Sequence, residues 1–163
     1  MKPIYQNLII PFFLLQGSLL AHCQVPCGIY NDAARIIQIQ EDFSTIQKAM
    51  TKIKELSQQQ DATSMNQLTR WIITKEDHAS KIQKVVSDYF LTQRIKAKTE
   101  GSEFDTYVKQ TTTLHQILVS AMKCKQTVES ELVDEGLHQI DTFIDLYFDT
   151  HGKDHIKQMS ESE

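Results

Sequence analysis

The sequence predicts an all-α protein, an up-down antiparallel four-helix bundle, on the strength of three observations. The chain has 163 residues, which is enough to bury a core within one domain. It contains only 5 glycines and 3 prolines, the residues that punctuate proteins built from many short strands. After Tyr30, apolar residues recur at alternating steps of three and four in four segments. We expect the bundle to occupy residues 31–150.

The ends of the segments follow helix start and stop signals. The first segment begins near Asn31 or Asp32, either of which can cap a helix, and ends near Asp61. The second runs from there to about Lys98, and Gly101 is the stop signal of the loop that follows. Two further segments lie between this loop and residue 150. Residues 151–163 are polar, so we expect a frayed C-terminal tail.

Each segment carries an apolar stripe that we expect to face the core. Lys75 interrupts the second stripe, and Gly136 lies inside the fourth helix, where glycine costs about 1 kcal/mol relative to alanine. In chain order the stripes are Ile36, Ile39, Phe43, Ile46, Met50, Ile53; Leu68, Ile72, Ala79, Ile82, Val86, Tyr89; Phe104, Val108, Leu114, Leu118, Ala121; and Val133, Leu137, Ile140, Ile144, Tyr147.

The N-terminal segment is predicted to be removed. Lys2 precedes an apolar run over residues 8–15, which has the length of a signal-peptide core and is too short to span a bilayer. Residues 16–21 then offer a cleavage zone that ends at Ala21. If residues 1–21 are a signal peptide, the protein is exported to the periplasm or secreted. If they are only a pro-segment that a processing protease removes, the protein is cytoplasmic.

Cleavage after Ala21 would create a set of metal donors at the new N-terminus. The α-amine of His22, the amide nitrogen of Cys23 and the Cys23 thiolate would close two adjacent five-membered chelate rings on one metal ion. The His22 imidazole can reach an axial position. Cys27 can supply a fourth in-plane donor if the chain turns back, which Pro26 and the following glycine permit. Planar nitrogen and sulfur donors of this kind suit Ni(II) or Cu(II).

Residues 22–30, which we call the hook, resemble the nickel-binding segment of the nickel superoxide dismutases. The resemblance rests on His22, Cys23, Pro26, Cys27, Gly28 and Tyr30 at matching spacing. It extends to the block Ser87-Asp88-Tyr89-Phe90 in the second helix. It also extends to the third helix, through residues 104–107 and 114–116.

This resemblance implies an activity, a cofactor and an assembly. It implies a superoxide dismutase that converts superoxide to dioxygen and hydrogen peroxide by Ni(II)/Ni(III) cycling. His22, Cys23 and Cys27 are then the nickel ligands, and Tyr30 and Tyr89 line the substrate pocket. It also implies a homohexamer of four-helix bundles. In the best-known relatives a Glu and an Arg orient the axial imidazole, whereas the corresponding positions here are Ile37 and His78.

Other functions fit parts of the pattern less well. A net charge of −4 gives no basic footprint for nucleic acid. A disulfide between Cys23 and Cys27 would make the chain a secreted helical-bundle interaction protein with a short loop. A structural zinc site normally takes four side-chain donors, and only three cluster here. Cys124 is expected to be a packed or free thiol rather than a ligand.

Overall fold

The computed structural model describes residues 30–161 and shows an all-α chain over that range, which confirms the predicted fold class. The described residues form five helices. Helix α2 continues directly into a π-helical segment, Val85–Arg94. The bounds are α1 Asp32–Leu56, α2 Ala62–Lys84, α3 Phe104–Gln126, α4 Glu131–Tyr147 and α5 Thr150–Ser160. The predicted leader and all of the hook except Tyr30 lie outside the described residues.

Side-chain caps begin three of these helices. The Asn31 side chain accepts a hydrogen bond from the Ala34 amide at 3.1 Å and starts α1. Asp61 accepts from two backbone amides at the start of α2, and Asp149 accepts from the Gly152 amide at 2.8 Å at the start of α5. Each cap satisfies amide groups that have no partner within the helix. The predicted starts of the first two helices are therefore confirmed.

Contacts between the helices show that neighbours run antiparallel. Asp32, at the start of α1, lies against Arg94 after α2 and against Tyr147 at the end of α4. Toward the other end of α3, the Ser120 hydroxyl donates to Gln139 of α4 at 2.9 Å. Helices α1 to α4 therefore form an up-down bundle whose first and fourth helices also touch.

The core follows the predicted stripes closely in α1 and less closely in α2 and α3. All six predicted positions of α1 are buried. The prediction was wrong for Ile72, Phe104 and Val108, which are 42%, 37% and 40% exposed. In α3 the buried face lies nearer the C-terminal half, where Ile117 and Cys124 are fully buried. Phe104 and Val108 lie in the first turns of α3, whereas Ile72 lies in the middle of α2, so apolar spacing alone does not show which turns a neighbouring helix covers.

Lys75 is buried in the structure instead of interrupting the packing of α2. Only 4% of the residue is exposed, and its ammonium group donates to the carbonyl of Cys124 at 2.7 Å and to that of Lys125. These carbonyls lie at the C-terminal end of α3, where the helix leaves acceptors unpaired and a positive charge is favourable. Lys75 therefore ties α2 to the end of α3.

Gly136 has a packing role that composition alone does not show. A Cβ atom at this position would lie 2.4 Å from the Phe43 ring, which is fully buried. Helix α4 can therefore approach α1 this closely only because residue 136 has no side chain. We expect Gly136→Ala to lower the free energy of unfolding by about 1–3 kcal/mol, despite alanine's higher helix propensity. Urea denaturation measures this, and an unchanged or raised midpoint would contradict it.

The prediction of a frayed tail over residues 151–163 is wrong for residues 151–160, which together with Thr150 are helical. They form α5, which packs against α1 through Ile156, a residue only 7% exposed. Ile156 and the partly buried Met159 pack against the core, and the cap at Asp149 starts the helix, which explains why a mostly polar segment is helical. Within residues 30–161, no helix has an apolar stretch long enough to cross a membrane.

Candidate functional site

The carboxylate of Asp32 is the centre of a hydrogen-bonded cluster at one end of the bundle. Its Oδ1 accepts from the Tyr89 hydroxyl at 2.6 Å and from Arg94 Nε at 2.9 Å. Its Oδ2 accepts from a terminal nitrogen of Arg94 at 2.7 Å and from the Tyr147 hydroxyl at 2.8 Å. We call Asp32, Tyr89, Arg94 and Tyr147 the Asp32 cluster.

The π-helical segment explains how Tyr89 and Arg94 reach the same carboxylate. In an α-helix of about 3.6 residues per turn, residues five apart point roughly 140° away from each other. The wider turn of a π-helix brings such residues to one side. Hydrogen bonds between residues five apart mark this geometry, including Ile95 N to Phe90 O at 2.9 Å. The segment includes the Ser87–Phe90 block that carries the resemblance.

The cluster fixes the charge state of its members. Burial tends to raise the pKa of Asp32, but the hydrogen bonds from Arg94, Tyr89 and Tyr147 outweigh burial and hold it below its usual value. Burial and the bond to Asp32 raise the pKa of Tyr147 to about 12 and that of Tyr89 further. At neutral pH the carboxylate is therefore charged and both phenols keep their protons.

Because the Asp32 carboxylate is charged at neutral pH, we expect the stability of the fold to decrease in acid. A carboxyl whose pKa is lowered by folding stabilises the native state above its unfolded pKa, and this contribution is lost as pH falls. We expect the free energy of unfolding to fall as pH drops below about 4. Asp32→Asn should flatten that part of the profile, whereas the exposed control Asp141→Asn should not. Denaturant titrations across pH measure this, and identical profiles for Asp32→Asn and wild type would contradict it.

A second pair of titratable groups joins α1 to α2. His78 Nδ1 lies 2.6 Å from Asp42 Oδ1, and Asp42 is only 5% exposed. Burial raises the pKa of Asp42, opposed by the hydrogen bond and charge of His78. The second oxygen, Oδ2, is buried and has no hydrogen-bond partner in the described part of the chain. His78 and Ile37 both line one shallow groove.

A cavity adjoins the Asp32 cluster. It has a volume of about 400 Å³, and Arg94 and Tyr147 of the cluster form part of its wall. Two of the cations in the wall are paired, Arg94 with Asp32 and Lys98 with Glu103, each at 2.7 Å. Lys96 therefore supplies most of the excess positive charge of this wall.

The structure places only part of the predicted site. Tyr30 is 41% exposed, and Tyr89 is 3% exposed with its hydroxyl engaged by Asp32. His22, Cys23 and Cys27 lie outside the described residues. Within residues 30–161, no group of three His, Cys, Asp or Glu side chains could hold a metal ion.

Cys124 lies where a packed thiol was expected. It is unpaired and fully buried, and burial raises its pKa to about 11. A thiol with so high a pKa is a poor metal ligand at neutral pH, because the thiolate is the binding form.

Comparison with known proteins identifies the chain. A family model for nickel-containing superoxide dismutase matches residues 18–151, which includes the hook, all of α1 to α4 and the Asp32 cluster. The chain belongs to the nickel-containing superoxide dismutase family. No curated protein and no solved structure gave a match. The protein is therefore an oxidoreductase that acts on superoxide and uses nickel, as the resemblance implied.

Sequence reasoning missed three members of the Asp32 cluster in this superoxide dismutase. Asp32 was noted only as a possible helix cap, and Tyr147 only as a member of an apolar stripe. Arg94 drew no attention because nothing in the sequence reveals the π-helical turn that aligns it with Tyr89. The available signal was a carboxylate two residues after the hook, at the point where the chain enters the bundle.

Proposed function

We propose that nickel is held at the mature N-terminus by the His22 amine and imidazole, the Cys23 amide nitrogen and thiolate, and the Cys27 thiolate. The observation that carries this proposal is the donor set itself. It combines two cysteines with a potential N-terminal histidine inside the stretch that the family model matches. Thiolates and nitrogen donors fit nickel better than they fit calcium or magnesium, which prefer oxygen.

Bound nickel supplies a redox couple, Ni(II) and Ni(III), with which one superoxide is oxidised to dioxygen and the next is reduced to hydrogen peroxide. The reduction consumes two protons. In this proposal Tyr30 orients the small anion and water by hydrogen bonding. The phenol of Tyr89 keeps its proton because its pKa is raised, and it donates a hydrogen bond to Asp32, so Tyr89 is a fixed group rather than an acid in this proposal. The positive charge of Lys96 on the cavity wall favours the approach of small anions such as superoxide to the bundle.

Metal selectivity tests the proposal directly. Processed, metal-free protein should take up one nickel ion per chain and then accelerate superoxide decay. Copper and zinc, loaded in the same way, are the controls, since copper shares the preference for planar donors and zinc has no redox chemistry. Equal activity with copper, or nickel uptake that produces no activity, would contradict it.

Removal of the Tyr30 hydroxyl should have a moderate effect. A hydrogen bond to a charged group contributes about 1.5–3 kcal/mol, so Tyr30→Phe should lower the rate of superoxide removal about ten- to a hundredfold. Nickel content should stay at the wild-type level because Tyr30 is not a ligand. A superoxide-decay assay normalised to nickel measures this. A loss of nickel in Tyr30→Phe would instead assign the tyrosine to holding the metal.

We further propose that the protein is a homohexamer. The resemblance implies this assembly, and exposed apolar side chains on α2 support it. Met65, Ile72 and Ile73 are 58%, 42% and 54% exposed in the single chain. Exposed apolar patches often mark contacts between proteins. Light scattering on nickel-loaded protein tests the assembly. Ile73→Glu should lower the mass, and a wild-type monomer with full activity would refute the proposal.

We also propose that a protease removes residues 1–21 and that the leader directs export. The apolar run at 8–15 and the small residue Ala21 support this. Cell fractionation combined with N-terminal sequencing tests both statements, because export and processing can then be scored separately.

A further inference from the structure

We propose that Asp32 is a positioning residue for superoxide dismutation, acting from the bundle on the hook and on Tyr89. This inference rests on the proposed nickel site at residues 22–27. Nothing in the resemblance assigns a role to Asp32, to Arg94 or to Tyr147.

The contacts of Asp32 are more extensive than helix capping requires. Asn31, not Asp32, caps α1 through its side chain. The Asp32 carboxylate instead accepts hydrogen bonds from three side chains on two other elements, the π-helical segment and α4. Its side chain is only 16% exposed. A bidentate Arg–carboxylate pair with two phenol donors leaves little freedom to the first residue of α1.

Asp32 lies close to the hook along the chain. Asp32 follows Cys27 by five residues, and Asn31 and Asp32 are the covalent junction between hook and bundle. The Tyr89 hydroxyl donates to Asp32 and also interacts with the Asn31 backbone, so both junction residues are held by one side chain. These contacts fix the first residues of the bundle, to which the hook is covalently attached.

The opposite charges of Asp32 and Arg94 make each residue of the pair depend on the other. The Asp32 carboxylate and the Arg94 guanidinium compensate each other at 2.7 Å, and loss of either would leave a partly buried charge unpaired. The two phenols remain protonated donors to the carboxylate. The geometry of Tyr89 and the junction therefore depends on the carboxylate of Asp32, which neither Asn nor Ala reproduces.

The test compares four nickel-loaded proteins: wild type, Asp32→Asn, Asp32→Glu and the exposed control Asp141→Asn. Electron paramagnetic resonance of the oxidised form reports the uniformity of the nickel environment independently of turnover. We expect one sharp Ni(III) species in wild type and Asp141→Asn. Asp32→Asn should give broadened or multiple species and a KM at least about tenfold higher, with partial recovery in Asp32→Glu.

A further variant covers the case in which Asp32→Asn fails to fold. Tyr147→Phe removes a single donor to the carboxylate and lies on α4, far along the chain from the hook. We expect the same spectral broadening at smaller amplitude, with nickel content unchanged. Wild-type spectra and kinetics in both Asp32→Asn and Tyr147→Phe would overturn the inference. Failure of the nickel site itself would show separately, as absence of the Ni(III) signal from wild type.

Discussion

Serine at position 23 or 27 should abolish superoxide removal while leaving the helical bundle folded. Each substitution replaces a thiolate ligand with a hydroxyl, which is a weaker donor and does not ionise at neutral pH. Activity should fall to the uncatalysed rate, because both sulfurs are needed to make the higher oxidation state accessible. The bundle should keep its helical content, since its core is built from residues that lie after the hook.

The third cysteine provides a matched control for this experiment. Cys124 is fully buried in α3, so Cys124→Ala should lower stability somewhat and leave nickel binding and specific activity unchanged. Circular dichroism, nickel quantification and superoxide decay are measured on all three variants. Wild-type activity in Cys27→Ser at equal nickel content would show that the hook mechanism is wrong. The Cys23–Cys27 disulfide loop would then be the better account of this segment.

Substitution of His22 should separate metal retention from activity. His22→Gln keeps the N-terminal amine and the Cys23 donors, so the planar ligands are preserved and part of the nickel should remain bound. The imidazole would be lost, and with it a nitrogen donor that would favour Ni(III). We therefore expect the activity per nickel ion to fall steeply, by about a hundredfold or more.

The exposed histidine of α3 is the matched control for His22. His115→Gln removes an imidazole from the surface of the bundle and should change neither nickel content nor rate. Rates are compared per bound nickel ion, so that incomplete loading does not mimic a loss of chemistry. Equal activity of His22→Gln and wild type per nickel ion would remove the imidazole from the mechanism.

The fold was largely predictable because helix periodicity and caps are local signals. The stripe of α1 is buried as predicted, and Asn31 and Asp61 cap their helices. Lys75 could not be predicted, because its partners are carbonyls about fifty residues away in sequence. The helix α5 was missed because it is mostly polar and only Ile156 and Met159 pack it against the core.

In the candidate site, too, local features could be predicted from the sequence and non-local contacts could not. The proposed metal donors His22, Cys23 and Cys27 come from one short motif that can be recognised in the sequence, and they stay a prediction because they lie outside the described residues. The Asp32 cluster joins residues 32, 89, 94 and 147, and it depends on a π-helical turn and on helix packing. Such non-local arrangements leave no pattern in a single sequence. His78 illustrates the same limit, since its buried partner Asp42 is apparent only in the folded bundle.

The central claim is that an unblocked His22 at the mature N-terminus carries catalytic nickel. Native mass spectrometry of the active protein, followed by N-terminal sequencing, tests it most directly. We predict a chain that begins at His22, lacks residues 1–21 and carries one nickel ion per subunit. An extra residue would convert the α-amine ligand into an amide. Full activity in a protein that retains Ala21, or that carries no nickel, would contradict the account.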